Sequence, residues 1–577
     1  MTVKWNYVTP TSEQQRIANE LVAGGINSAP VARLLAHRGI GNYAEAMKFF
    51  HPSLSDLHDP FLMPNMDKAV DRLNRAMGRK ERIMVYGDYD VDGTTAVALV
   101  YSYIRSFYSN LEYYIPTRYE EGYGISIKSI DYAASQGVSL IIVLDCGIKA
   151  IDEIAYAKSK GIDFIICDHH VPDDVLPDAV AILNPKLEDS TYPYSDLSGC
   201  GVGYKLMQAF AISNGLIAEG ENLEQLLDLV AVSIAADIVP MTGENRILTY
   251  YGLRRINVSP NLGLKAIIRI CNLAHKEITI SDVIFKIGPR INASGRMQSG
   301  MEAVELLTTR DINEAYTCAR NIDQYNKDRK ELDKVITDEA NEIIAARPDL
   351  REKKAIVIYN KNWHKGIIGI VASRLTEIYY KPSVVLTFAD GIATGSSRSV
   401  QGYDIYKAID SSRELLENFG GHTYAVGLSL KEENIPEFTR RFEEYVAKTI
   451  EPRQLVHLQD IDTDITFAEI TGDLISYLKQ FNPYGPSNNK PIFLTRGVRD
   501  AGSSKLVGKT MEHIKLDIKD GTSERVFNGI AFNQADKFER IKAGELFDIC
   551  YTLEENKHKG NTSLQLHVRD ILFPPAK

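Results

Sequence analysis

A chain of 577 residues is too long for one compact domain and is expected to form several, at roughly 150 residues each. With 44% hydrophobic and 25% charged residues it is neither a disordered nor a fibrous chain. The formal net charge of -10, from 66 Lys plus Arg against 76 Asp plus Glu, excludes nucleic-acid binding by bulk positive charge alone. Carboxylates that hold divalent cations would reverse that sign locally. The six cysteines are scattered without a CxxC pair, so neither a disulfide framework nor a zinc ribbon is expected, and a reducing compartment fits. The start carries no charged segment followed by an apolar one, and no apolar run reaches 18 residues. A cytoplasmic protein with no membrane partner is expected.

Residues 12 to 78 read as helices, with Ile17, Leu21 and Ile26, then Val31, Leu34 and Leu35, at helical spacing. From residue 81 short apolar runs (RIMVYGD, EYYIP, SLIIVLD, DFIICDH) alternate with helical patterns, the texture of a parallel α/β sheet. Residues 311 to 347 form a long charged helical pattern without Gly or Pro, which reads as a connector. A second, smaller α/β unit starts at KKAIVIYN and closes near residue 450. Beyond it, short strand-like runs alternate with polar turns, as in a small β-barrel. The expected division is a helical region 1–78, a catalytic α/β domain 79–300, a connector 301–350, a second α/β domain 351–450 and a barrel 451–577.

The sharpest feature is VYGDYDVDGTT, where Asp88, Asp90 and Asp92 follow an apolar strand and precede a helix. Open α/β sheets place ligands at the carboxyl ends of their strands. A calcium loop also begins DxDxDG, but its twelfth position would be Leu99 rather than Glu, and a strand leads in rather than a helix. Two further strands end on Asp145 and on Asp168, His169 and His170. A lone histidine pair would be structural; three converging strand ends point to metal. Oxygen donors with one or two imidazoles suit Mn²⁺ or Mg²⁺, whereas thiolates would favour zinc. Cys146 and Cys167 beside these positions read as packing residues. Asp237, at the end of an apolar helix, is a weaker candidate.

These segments, in this order, resemble the DHH phosphoesterase superfamily, and within it the RecJ exonucleases, nearly end to end. The resemblance rests on YGDYDVDGTTA, IPTRYEEGYG, LDCGI, CDHH, SGCGVGYKL, AADIVPMTGENR and FKIGPRINASGRM. It continues through WHKGIIGIVASRL, GSSRS and GGHTYAVGLSL of an associated DHHA1 domain and through NPYGPSNNKPIF and VGKTMEHIKL of a terminal OB-fold. It implies that Asp90, Asp92, Asp145, His169 and Asp237 hold two divalent cations, with Asp145 as the bridge. Asp88 stands where many relatives use His. Asp168 is implied to orient His169 from behind, and His170 to do the same or touch the scissile phosphate. Arg290, Asn292 and Arg296 are implied to meet the developing phosphate charge.

The resemblance further implies that the DHHA1 domain reads the 5′ end of a strand, through Ser397, Arg398, Gly420, Gly421 and His422; a tight turn and a buried histidine would also explain the last three. In the barrel, Lys505, Lys509 and Lys515 are candidates for the backbone and Phe532 and Tyr551 for base stacking. Asn326 and Arg329 share nearly one face of the connector, as on any solvated helix. The implied function is a metal-dependent 5′ to 3′ exonuclease that releases 5′-mononucleotides from single-stranded DNA in repair and recombination. A helicase and a single-strand-binding protein are implied partners, and a monomer is expected. Two alternatives keep the fold: a phosphodiesterase on short oligonucleotides or cyclic dinucleotides, and a non-catalytic strand binder.

Overall fold

The apolar runs between residues 82 and 183 pair as one parallel sheet in the order Leu111–Tyr114, Arg82–Gly87, Val138–Leu144, Asp163–Cys167, Ala181–Leu183. The computed structural model that shows this describes residues 4–218, 220–389, 391–558 and 561–574. Alternate residues of these strands enter two cores. Ile83, Val85, Leu140, Ile142 and Ile165 pack on one face, and Met84, Tyr86, Ile141, Val143 and Ile166 on the other. Burial on both faces is why the runs are continuously apolar instead of alternating.

In chain order the sheet runs 2-1-3-4-5, so its topology reverses between the strands Arg82–Gly87 and Val138–Leu144. The crevice at such a reversal is where open α/β sheets hold ligands. Asp88 and Asp145 follow those two strands.

Helices cap this edge. The helix Val91–Arg105 starts so close to the first strand that a Cβ on Gly93 would lie 2.4 Å from the Asp88 carbonyl oxygen. The helix Gly199–Ser213 begins against Asp145, whose Cβ would be 2.6 Å from a Cβ on Gly199. Farther along that helix, fully buried Lys205 pairs with Glu244 at 2.7 Å and donates to the His58 carbonyl at 2.8 Å. Glu244 also accepts from the Tyr192 hydroxyl at 2.6 Å and from the His58 amide at 2.9 Å. Both charges are thereby matched, since an unpaired charge in that core would be costly.

The connector is the 35-residue helix Ile312–Ala346. After it comes a mixed sheet ordered Leu416–His422, Ala425–Leu430, Ile392–Arg398, Ser383–Ala389, Ile356–Tyr359, in which only the last pair is parallel. Gly420, Gly421 and His422 thus lie in a hairpin strand and not in a turn. Residues 54–456 form one compact unit.

The other unit joins residues 1–53 to residues 457–577. The strand Lys4–Tyr7 pairs with Leu458–Ile461, and the helices Ser12–Ala23, Ala29–His37 and Tyr43–Phe50 share a core with the barrel. Ile26 is buried there from the turn between two helices, outside any helix. The barrel closes through Phe493–Asp500, Phe547–His558, Asn561–Leu572, Phe527–Ala531 and His513–Lys519, whose last strand pairs back to the first.

Replacing Lys205 by Met leaves the buried Glu244 carboxyl group without its cation. Urea unfolding is expected to show a loss on the order of 3–5 kcal/mol, partly recovered when Glu244→Gln is added.

Candidate metal centre and arginine cluster

The sheet edge brings the sequence candidates together. The buried His169 Nε2 lies 3.2 Å from Asp145 Oδ1, 3.6 Å from Asp237 Oδ2 and 3.7 Å from Asp92 Oδ2. Ligand atoms of Asp92, His169 and Asp237 fall within 4.8 Å of one another, as do those of Asp145, His169 and His170. Asp145 takes a left-handed backbone, φ 61°, which re-aims its carboxylate at the end of its strand. Asp90 caps the helix Val91–Arg105, accepting from the Gly93 amide at 3.0 Å.

Asp92 is the most fully held of the set. Its oxygens accept from the amides of Gly199 at 2.7 Å and Cys200 at 2.8 Å, at the positive end of a helix. The Ser233 hydroxyl adds a third bond at 2.6 Å and is itself 2.6 Å from Ser198 Oγ. That leaves the Oδ2 side toward His169 as its open acceptor.

Electrostatics set this edge apart. Burial, then the neighbouring carboxylates, push Asp88, Asp90 and Asp145 above the ordinary carboxylate range, and Asp237 up to about 9. Burial pushes His169 down to about 4, so its imidazole is neutral and able to act as a ligand. Neither His169 ring nitrogen, nor Asp88 Oδ1, has a hydrogen-bond partner among the described residues. Buried polar atoms seldom go unmatched. Crowded carboxylates round a neutral imidazole are the donor set of a hard divalent cation, so the residues fit Mn²⁺ or Mg²⁺. Burial raises the Cys146 and Cys167 thiols, which leaves both as uncharged packing groups.

Asp168 serves His170 more than His169. Its Oδ1 accepts from His170 Nδ1 at 2.7 Å and from the His169 and His170 amides at 2.7 and 3.1 Å, while Oδ2 accepts from the Ile148 amide at 3.0 Å. Burial acts to raise Asp168, but these bonds and the histidine charges outweigh it and hold it at about 2. Burial likewise pushes His170 down, yet Asp168 and the acidic edge raise it overall. The His170 ring lies parallel to that of His422, 6.2 Å apart, and so links the two α/β domains.

A second cluster is cationic. Arg296 on the helix Gly288–Met297 is pushed down to about 9, first by burial and then by Arg118, Arg329 and Arg398. Arg296 donates to the Gly366 carbonyl at 3.2 Å and Arg398 to Ser396 Oγ at 3.0 Å. Arg329 reaches Asn326 Oδ1 at 3.2 Å. Crowded guanidinium groups of this kind suit an anion. Asn292 lies half-buried one helical turn before Arg296, on the same face.

Several sequence candidates sit elsewhere. Arg290 is already engaged by Asp323 at 2.8 Å and the Lys286 carbonyl at 2.7 Å. Ser397 is fully buried and bonded to the Val426 backbone at 3.0 and 3.2 Å, since successive strand residues face opposite sides; Ser396 shares the Arg398 face. Tyr551 is barrel core, its hydroxyl 2.9 Å from Thr495 Oγ1, and cannot stack on a base. Phe532 remains exposed between His513 and His567. Exposed Lys505 and Lys515 stand directly opposite each other, a like-charge pair that an anion would relieve; Lys509 is exposed nearby in the chain.

Sequence reasoning missed Arg118, Tyr123, Lys186 and Ser396. Arg118 and Tyr123 follow the strand Leu111–Tyr114, the neighbour of Arg82–Gly87 in the sheet, so the strand-end rule would have reached them. Tyr123 places its hydroxyl 3.3 Å from the Asp145 carbonyl and 3.5 Å from the His170 ring nitrogens. Lys186 lowers both Asp237 and His422 by its charge.

With this geometry in view, comparison with known proteins decides the family. The chain is 34% identical over 557 residues to the single-stranded-DNA-specific exonuclease RecJ of Salmonella typhimurium, covering 93% of this chain and 95% of that one. The chain belongs to the RecJ exonuclease family. It is also 35% identical over 542 residues to RecJ of Bacillus subtilis, covering 94% of this chain and 67% of that one. The DHH family, N-terminal domain, matches residues 82–234, the DHHA1 domain 352–448 and the RecJ OB domain 461–570. The crystal structure of RecJ in complex with Mn²⁺ from Thermus thermophilus superposes with a TM-score of 0.84 at 25% identity, covering 100% of this chain and 80% of that one. No helix among the described residues is long and apolar enough to cross a membrane.

A carboxylate raised by burial favours the folded state only while protonated. The contribution of Asp237 to metal-free stability is therefore full below the ordinary carboxylate pKa and is lost as pH rises toward about 9. Cations compete with those protons. Mn²⁺ is expected to raise the melting temperature more at pH 8 than at pH 5, as read by differential scanning fluorimetry. Equal shifts would contradict the carboxylate cluster as the binding site.

Proposed function

We propose that this chain is a 5′ to 3′ exonuclease specific for single-stranded DNA, releasing 5′-mononucleotides in DNA repair and recombination. In this reading Asp88, Asp90, Asp92, Asp145, His169 and Asp237 hold two divalent cations, Mn²⁺ or Mg²⁺. The protein works in the cytoplasm as a monomer, alongside a helicase and a single-strand-binding protein. The observation that carries the reading is the adjacency of two opposite clusters: Arg118 lies within electrostatic reach of Asp88 and also of Arg296 and Arg398.

Bound cations would supply Lewis-acid chemistry, activating water and neutralising charge on the phosphodiester. The chain's own groups do the positioning. Arg118, Arg296, Arg329 and Arg398, with Ser396, take a terminal phosphate through charge-assisted hydrogen bonds. Anchoring the first phosphate there lays the next phosphodiester over the acidic edge, which sets polarity and the one-nucleotide step. Because Asp168 is ionised, His170 donates to it through Nδ1 and keeps Nε2 for a phosphate oxygen. At Gly421 a Cβ would lie 2.2 Å from the Ala425 carbonyl oxygen, so glycine lets the hairpin that carries His422 close, while Gly420 leaves open space beside it. The exposed Lys505, Lys515 and Phe532 of the barrel suit a strand longer than a dinucleotide and favour DNA over small substrates.

The test is digestion in Mn²⁺ of single strands bearing a 5′-phosphate or a 5′-hydroxyl, beside blunt duplex, RNA and a dinucleotide. Early release of 5′-labelled mononucleotide from single-stranded DNA alone is expected. Losing one charge-assisted contact of about 1.5–3 kcal/mol should raise KM for the phosphorylated strand roughly tenfold or more in Arg398→Ala, and erase its advantage over the 5′-hydroxyl strand. Cleavage of RNA or the dinucleotide at the same rate as DNA would contradict the proposal.

A further inference from the structure

The helix Leu227–Asp237 delivers Asp237 to His169 and stops at once on Ile238, with φ 61° and ψ 29°. For a β-branched residue this left-handed backbone is a true outlier, because Cβ crowds its own carbonyl; Gly or Asn would adopt it freely. The strain serves no packing, since the Ile238 side chain is 67% exposed. A strained helix-ending residue whose side chain is left mostly exposed, one position from a candidate metal ligand, points to a contact with something outside the chain.

A second irregularity lies alongside. Residues Val283–Ile287 form a π-helical turn, a rare form that concentrates at functional sites. It is seated on the last turn of the same helix: a Cβ on Gly288, the residue after it, would lie 3.6 Å from the Ala236 Cβ. Val283 and Ile287 are buried, whereas the extra residue of the wider turn leaves Phe285 outside, 71% exposed. Lys286 follows it in the chain, its ammonium paired with Asp282 at 2.8 Å.

We propose that Ile238 and Phe285 form an apolar lip beside the acidic edge that packs against the nucleobases of the single strand, and that this contact is a specificity determinant. The inference rests on the exonuclease reading. Nucleobases are the occupant because Ile238 directly follows Asp237 of the proposed centre, and because an exposed aromatic beside a lysine suits a chain of bases on a phosphate backbone. Duplex DNA hides its bases in stacked pairs and offers such a lip nothing to grip. The contact therefore selects an unpaired strand without reading its sequence.

The experiment compares cleavage in Mn²⁺ of a 5′-phosphorylated oligodeoxynucleotide with that of an abasic strand of equal length, for wild type, Ile238→Gly, Ile238→Leu and Phe285→Ala. The wild type is expected to show a KM about tenfold lower for the strand with bases. Ile238→Gly and Phe285→Ala should bring that ratio close to one, while Ile238→Leu keeps most of it. Ile238→Gly should melt at or above the wild-type temperature, because strain is released, and its Mn²⁺-induced shift in melting temperature should persist. Should Ile238→Gly fail to fold, Ile238→Asn, which also accepts the left-handed backbone, takes its place. A wild-type KM ratio in both Ile238→Gly and Phe285→Ala overturns the proposal. So does a ratio of one in the wild type. If the wild type cleaves neither strand while Mn²⁺ still stabilises it, the exonuclease reading itself has failed.

Discussion

Burial of several carboxylates at one sheet edge, compounded by their mutual repulsion, governs this molecule. Asp145 and Asp237 crowd a neutral His169, Asp88 and Asp90 lie within electrostatic reach of Asp145, and each of the four is raised above its ordinary range. Chains do not keep such an arrangement for stability. Folding must force it, through the parallel sheet that ends three strands at one edge and through helix starts wedged, at Gly93 and Gly199, against Asp88 and Asp145. Asp92, tied to the amides of Gly199 and Cys200 and to Ser233, fastens the helical layer to that edge. Cations of matching charge would resolve the repulsion and turn the fold's cost into binding energy for metal.

The arginine cluster mirrors this logic with the opposite sign. Arg118, Arg296, Arg329 and Arg398 come from the DHH sheet edge, the helix Gly288–Met297, the connector and the DHHA1 sheet, so the cluster exists only when all four are assembled. A terminal phosphate would neutralise it as cations neutralise the carboxylates. The parallel His170 and His422 rings tie the DHHA1 hairpin to the DHH edge.

Much of this was legible in the sequence for a physical reason: strand ends are local. Asp88, Asp90, Asp145, Asp168 and His169 each close an apolar run, so a rule about carboxyl ends of strands locates them without tertiary knowledge. What the sequence concealed depended on facing and pairing. Ser397 and Arg398 adjoin in the chain but point to opposite sides of a strand, which leaves Ser396 beside the guanidinium. Arg290 looked as suitable as Arg296 until Asp323, on the connector, claimed it. Tyr551 could not be told from an exposed stacker, since barrel strands alternate core and surface and their register is not local. The union of the first helices with the barrel was invisible for the same reason, because several hundred residues separate them.

The central claim is that the acidic edge is a divalent-cation site, and anomalous scattering tests it most directly. Crystals grown in Mn²⁺ and measured on either side of the manganese absorption edge are expected to show anomalous peaks bounded by the side chains of Asp90, Asp145, His169 and Asp237. Peaks confined to surface carboxylates, with that edge empty at saturating Mn²⁺, would contradict it.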